Sequence, residues 1–172
     1  MLIACKYEEI YVPKLDDFVD ITDNTYTSAQ ILEQECKILK GLDFEITFPT
    51  VYRLLERYRA LDQGNRECFL LACYVSELCL IDIKMNKWAP SRIASAALYL
   101  SKKMLKQAEP WPEEVAKVVQ LTEKKVRECA REICILINLA HQKKVYEPIY
   151  KKYSIARYMG VAKIPVTIRR QA

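Results

Sequence analysis

Glycine and histidine are scarce in this chain of 172 residues, which contains 3 glycines and 1 histidine. So few glycines leave little material for tight hairpin turns or for a phosphate-cradling loop, which disfavours an all-β fold and a P-loop enzyme. The single histidine, His141, has no neighbouring signature of a nucleophile or an acid partner, which argues against Ser-His-Asp or Cys-His catalysis. We therefore expect a protein without catalytic residues.

Long apolar runs are absent as well. No stretch approaches the roughly 18–20 residues that a membrane-spanning helix needs, and the first residues lack the charged-then-apolar pattern of a signal peptide. The chain is 51% hydrophobic and 28% charged, values that are typical of a soluble globular protein. We therefore expect no membrane partner.

Cysteine is present in an odd number and without any CxxC pair. The seven cysteines lie at positions 5, 36, 68, 73, 79, 129 and 134. Metal binding would need short paired spacings with histidine nearby, so we expect neither a metal site nor a cofactor. Free thiols packed among apolar neighbours indicate a reducing compartment, and we expect the nucleus and cytoplasm.

Charge is distributed unevenly along the chain. Residues 1–50 carry 4 basic and 10 acidic side chains, whereas residues 141–172 carry 8 basic and 1 acidic, within a net charge of +5. A basic end can contact nucleic acid. It lacks the interleaved aromatic residues of a recognisable binding motif, so we favour a solvated end and do not expect a nucleic-acid partner.

Apolar residues recur at helical spacing along nearly the whole chain. Proline and capping residues separate the segments, and a Gln63-Gly64 break falls between the fourth and the fifth. The predicted helices cover residues 1–10, 14–21, 28–42, 50–63, 66–81, 90–106, 112–120, 122–140 and 147–153. The fold class that follows is all-α.

Two of these helices have informative apolar faces. Segment 66–81 is apolar nearly all round, which is typical of a central buried helix. Segment 28–42 is amphipathic, and its predicted buried residues are Ile31, Ile38, Leu39 and Leu42.

The helix pattern also repeats. FVDIT at 18–22 is similar to VVQLT at 118–122, and each closes a short helix before a long one. The three helices of 90–140 therefore repeat the three of 1–42. Two further helices precede the second copy. If the repeating unit has five helices, the first copy contains only the last three.

Several strings carry a more specific resemblance. LIACKYEEIY at 2–11 is followed by Pro13, by DFVDITDNTY at 17–26 and by ECKIL at 35–39. Farther along lie LDF at 42–44, FPT at 48–50, Glu77-Leu78 within 69–81, Pro90-Ser91, and KYS at 152–154 with Tyr158. Together they resemble the mitotic A/B group of the cyclin family.

The resemblance implies tandem five-helix cyclin-box folds. Residues 1–47 would be a partial N-terminal box with its last three helices, and residues 48–172 a complete C-terminal cyclin fold with a basic tail. The helices that carry the family's substrate-docking patch have no counterpart here.

The resemblance also implies a function, a regulatory subunit that binds and activates a cyclin-dependent protein kinase in mitotic control. In the family, a lysine and a glutamate at the positions of Lys6 and Glu35 contact the small lobe of the kinase. A surrounding apolar pocket accepts a side chain from the kinase's mobile helix. Its members here would be Ile3, Tyr7, Leu39, Phe44 and Ile46.

Without the resemblance these residues would be interpreted differently. Lys6 and Glu35 would be ordinary surface charges, and the apolar residues would be assigned to a core. Tyr7 stands where the family more usually has phenylalanine, so its hydroxyl must reach a partner or solvent. The alternative function is an adaptor of the same fold that binds nucleic acid or transcription components through its basic end.

Overall fold

A computed structural model describes residues 1–62, 65–140 and 142–166. Over these residues the chain is helical and has no strand, so the all-α prediction is confirmed. The α-helices are α1 (Leu2–Glu8), α2 (Leu15–Ile21), α3 (Ser28–Gly41), α4 (Val51–Asp62), α5 (Arg66–Ile81), α6 (Pro90–Met104), α7 (Glu113–Val119), α8 (Glu123–Ala140) and α9 (Glu147–Tyr153). The predicted break at Gln63-Gly64 and the lone His141 lie outside the described residues.

The structure divides into two compact units, Met1–Phe48 and a second that begins at Pro49. The first unit contains α1, α2 and α3. Thr27 begins α3 with a reciprocal capping box, in which its hydroxyl accepts from the Gln30 backbone and the Gln30 side chain accepts from the Thr27 backbone at 2.9 Å. The two bonds satisfy the backbone N–H groups of Thr27 and Gln30, which have no acceptor within the first turn of the helix.

The first unit buries little apolar surface. Its buried apolar side chains among the described residues are Leu2 and Phe18, and α3 has no buried residue. The prediction that α3 buries Ile38 and Leu42 is wrong, because these side chains are 41% and 50% exposed. A helical apolar stripe shows which face favours burial. Whether that face is covered depends on what packs against it; α2 packs on α3, but Ile38 and Leu42 stay exposed.

The second unit is built around α5, against which α4, α6, α8 and α9 pack. Leu71, Ala72, Val75 and Leu78 of this helix have no exposed surface, so the prediction of a central buried helix is confirmed. α8 also buries one face, whose members include Val126, Cys129, Ile133, Leu136 and Ile137. Five helices, α4 to α8, therefore enclose one apolar core.

Short 3-10 segments complete the second unit, at Ile83–Lys87, Lys144–Tyr146, Ala156–Tyr158 and Val161–Lys163. The last of these buries Val161 and Ala162 and packs on α5. Gly160, just before it, has a φ of +63°, a conformation that glycine adopts without the steric cost of a Cβ. Within the described parts of the chain, no helix is both long and apolar enough to cross a bilayer.

Candidate functional site

One face of α1 carries three of the residues that the sequence singled out. Ile3, Lys6 and Tyr7 are spaced by three and four positions, so they lie on the same side of the helix. Ile3 is half-buried, whereas Tyr7 is 50% exposed. The face is therefore mixed, with an apolar side chain, a cation and an aromatic hydroxyl side by side.

The structure brings Lys6 and Glu35 together. Lys6 Nζ donates to Glu35 Oε2 at 2.8 Å and joins α1 to α3 across 29 positions of sequence. The Lys6 side chain is 47% exposed, but that of Glu35 is only 11% exposed. A charge-assisted bond of this length is stronger than a neutral one. The bond holds the nearly buried Glu35 carboxylate in place. The Lys6 ammonium has three N–H donors, so it can still donate to an incoming partner.

Tyr7 also has a partner within the first unit. Its hydroxyl donates to Thr47 Oγ1 at 3.0 Å and joins α1 to the segment that follows α3. The sequence predicted that this hydroxyl needs a partner, but it did not single out Thr47. The sequence indicated only that a tyrosine hydroxyl needs a hydrogen-bond partner. The spacing between Tyr7 and Thr47 along the chain does not reveal that the two side chains are in contact.

A turn of unusual backbone geometry follows α3. Asp43 and Phe44 have φ values of +48° and +59°, a region that residues other than glycine rarely occupy. The Phe44 amide donates to the Leu39 carbonyl at 2.9 Å, and the Glu45 amide donates to that of Leu42 at 2.8 Å. The turn leaves the Phe44 side chain 65% exposed.

A cleft of about 520 Å³ opens on the first unit. Two of the predicted site residues, Ile3 and Glu35, line it. The other lining residues are Met1, Leu2, Tyr26, Gln30, Ile31, Glu33, Gln34, Lys37 and Ile38. Its walls thus combine apolar side chains with charged and amide groups.

One of the five predicted pocket residues lies at this cleft. Ile3 lies at the cleft beside Glu35, whereas Tyr7, Leu39, Phe44 and Ile46 do not line it. Leu39 and Ile46 are half-buried. Their role in binding a kinase stays a prediction.

The second unit brings together another set of residues from the same strings. Glu77 of α5 accepts hydrogen bonds from Lys152 Nζ at 2.7 Å and from the Tyr153 hydroxyl at 2.6 Å. The two donors lie 75 and 76 positions after Glu77 in the sequence. Burial, followed by the hydrogen bond to Glu77, raises the pKa of Tyr153. The two hydrogen bonds link α9 to α5, the central helix of the second unit.

Cysteine and acidic side chains do not assemble into a further site in the described residues. The seven cysteines are free thiols. Over the described ranges, no three histidine, cysteine, aspartate or glutamate side chains are grouped as metal ligands would be.

Two family models match the chain. One, described as "Cyclin, N-terminal domain", matches residues 1–47. The other, described as "Cyclin, C-terminal domain", matches residues 49–167. The Lys6–Glu35 pair, the Tyr7–Thr47 bond and the cleft all belong to the part that the first of these covers.

Curated relatives are similar over almost the whole chain. The protein named Cyclin-A1-2 of Arabidopsis thaliana is 37% identical over 169 residues, which is 95% of this chain and 38% of the relative. The G2/mitotic-specific cyclin-B of Patella vulgata is 39% identical over 165 residues, 96% of this chain and 40% of the relative. The G2/mitotic-specific cyclin-B of Marthasterias glacialis is 37% identical over 164 residues, which is 95% of this chain and 42% of the relative. The chain spans about two fifths of the length of these relatives.

Proposed function

The chain belongs to the cyclin family, and we propose that it is a non-catalytic regulatory subunit that binds and activates a cyclin-dependent protein kinase in mitotic, G2/M, cell-cycle control. The observation that carries the proposal is the Lys6–Glu35 pair at 2.8 Å. It lies in the part of the chain that matches the N-terminal cyclin domain. Exposed apolar side chains lie on the same unit, including Phe44 on the turn after α3.

Activation by such a surface is a shift of population. A kinase whose small-lobe helix is rotated outward lacks the Lys–Glu ion pair that positions ATP. A partner that binds the inward state more tightly stabilises it by the difference between the two affinities. The cyclin chain then contributes no reacting group, and it needs no cofactor.

The site residues supply two kinds of contact in this proposal. Lys6 donates to, and Glu35 accepts from, backbone groups of the kinase segment. The pocket of Ile3, Tyr7, Leu39, Phe44 and Ile46 removes an apolar kinase side chain from water, which is worth ~1.5–3 kcal/mol for full burial.

The test is a calorimetric titration with a mitotic cyclin-dependent kinase. Lys6→Ala and Glu35→Ala should each weaken the complex by ~1.5–3 kcal/mol, the range for hydrogen bonds to charged groups. Thermal melts of the free variants are the companion measurement, because the Glu35 side chain is only 11% exposed and Lys6→Ala leaves it without this partner, which should also lower the stability of the free chain.

The second unit offers a matched control pair. Glu113 and Lys117 form an ion pair of 2.9 Å on α7, and their side chains are 79% and 71% exposed. Glu113→Ala and Lys117→Ala should change affinity by no more than about twofold, as expected of an exposed helical pair. Binding by the parent chain with unchanged affinity in both Lys6→Ala and Glu35→Ala would refute the site.

The proposed compartment is the nucleus and cytoplasm. Seven free thiols support a reducing environment. Fluorescence microscopy of the tagged chain in dividing cells tests this proposal, and a signal confined to the secretory pathway would contradict it.

A further inference from the structure

We propose that Thr47 is a positioning residue for kinase binding. Through its hydrogen bond with Tyr7 it holds the segment after the α3 turn against α1, and so it fixes how Phe44 and Ile46 are presented. This inference rests on the proposed function and extends it to a residue outside the proposed contact set.

The first step of the argument is geometric. The Tyr7 hydroxyl and Thr47 Oγ1 lie 3.0 Å apart, although the residues are 40 positions apart in sequence. The bond therefore joins two segments that have no local reason to stay together. Ile46, a pocket residue, immediately precedes Thr47, so fixing Thr47 restricts where the Ile46 side chain can point.

The second step concerns the turn. Asp43 and Phe44 both occupy the left-handed region, and residues remain there only when the surrounding structure holds them. The backbone bonds of the turn are local, from Phe44 to Leu39 and from Glu45 to Leu42. The Tyr7–Thr47 bond adds a restraint from outside the turn, because it ties a residue that closely follows Phe44 to α1.

The third step explains why the effect should appear on binding more than on folding. Both partners are exposed in the free chain, so water competes for the bond and its net contribution to stability is small. A kinase that covers the pocket removes this water. A hydrogen bond in the lower dielectric that results is stronger, and leaving one partner unpaired there carries the full desolvation penalty.

The experiment is a double-mutant cycle on kinase affinity with the whole chain. Tyr7→Phe and Thr47→Val should each weaken binding about fivefold, the size of one net hydrogen bond. The double variant should be weaker by about the same fivefold rather than by the product, because both changes remove one bond. Thr47→Ser retains the hydroxyl and should restore affinity to within about twofold of the parent.

A matched control is available on an exposed tyrosine nearby. Tyr11 is 90% exposed, and Tyr11→Phe should leave affinity unchanged. In the free chain, Thr47→Val should also speed hydrogen exchange at the Ile46 amide, which donates to the Phe44 carbonyl at 3.0 Å. Faster exchange indicates that the segment has lost its restraint.

The outcomes separate this inference from the proposed function. Parent binding with unchanged affinity in Tyr7→Phe and Thr47→Val overturns the positioning role and leaves the kinase partner in place. Multiplicative losses in the double variant also overturn it, because they show that the two hydroxyls act independently. No binding by the parent chain overturns the proposed function and this inference with it.

Discussion

Individual cysteines differ in burial, and burial determines their reactivity. Cys36 on α3 is exposed, whereas Cys73 and Cys129 in the second unit are 4% and 0% exposed. Burial raises the pKa of the Cys73 thiol to about 12 and that of Cys129 to about 12. The reactive species is the thiolate, so at pH 8 both thiols stay protonated in the folded chain.

Thiol labelling at pH 8 should therefore proceed in two phases. Cys36 should react rapidly in the native chain, and Cys73 and Cys129 should react only after urea unfolds the second unit. Mass spectrometry of tryptic peptides identifies the labelled positions. Cys36→Ser is the control and should remove the fast phase at that position, whereas rapid native labelling of Cys73 would contradict the burial argument.

Among the elements, α9 contacts α5 through one carboxylate and through aromatic rings. Glu77 accepts from both Lys152 and Tyr153. The Tyr153 ring also lies 5.5 Å from that of Tyr74 and 4.9 Å from that of Tyr158, measured between centroids. A hydrogen-bonded charge and tilted aromatic rings thus act together to hold α9 on α5.

Tyr153→Phe should lower the free energy of unfolding of the second unit by ~1.5–3 kcal/mol, because it removes a hydrogen bond to a charged acceptor and keeps the ring. Urea unfolding followed by circular dichroism measures the change. The folded state raises the pKa of Tyr153, so the unfolded state loses that proton first. The stability that the hydroxyl contributes should therefore diminish as pH rises above about 10.

The neighbouring lysine provides the control for this experiment. Lys151 pairs with Glu147 at 2.7 Å, and the two side chains are 72% and 50% exposed. Lys151→Gln should cost less than ~1 kcal/mol, as is usual for an exposed ion pair. Equal losses in Lys151→Gln and Tyr153→Phe would argue against a special role for Glu77.

Over the whole molecule, the two units differ in how much apolar surface they bury. The second unit has one continuous core that includes Leu55, Leu71, Leu100, Ile133 and Val161. Among the described residues of the first unit, the buried apolar side chains are those of Leu2 and Phe18. Stability against local opening follows buried apolar contacts, so the first unit should open more readily.

Limited proteolysis should consequently cut first within residues 11–48 and leave a resistant fragment that begins near Thr50. Opened segments are cleaved in proportion to their population when reclosing is fast. Mass spectrometry and N-terminal sequencing of the fragment give its boundary. A surviving fragment of residues 1–47, with the second unit digested, would contradict this expectation.

The sequence by itself determined the helices of the second unit and identified its central buried helix. The 3.6-residue period of apolar side chains, with Pro90 at one helix start and the apolar 66–81 segment, is a local pattern, so a linear reading recovers it. The strings around Lys6 and Glu35 likewise indicated the cyclin family before any contact was known.

Only the tertiary structure decided which distant groups meet. The Tyr7 bond to Thr47 and the two bonds to Glu77 join residues 40, 75 and 76 positions apart, and no periodicity encodes such pairs. It also decided that Ile38 and Leu42 stay exposed. An amphipathic pattern expresses the preference of a face for burial, but the packing of other elements determines whether water is removed from it.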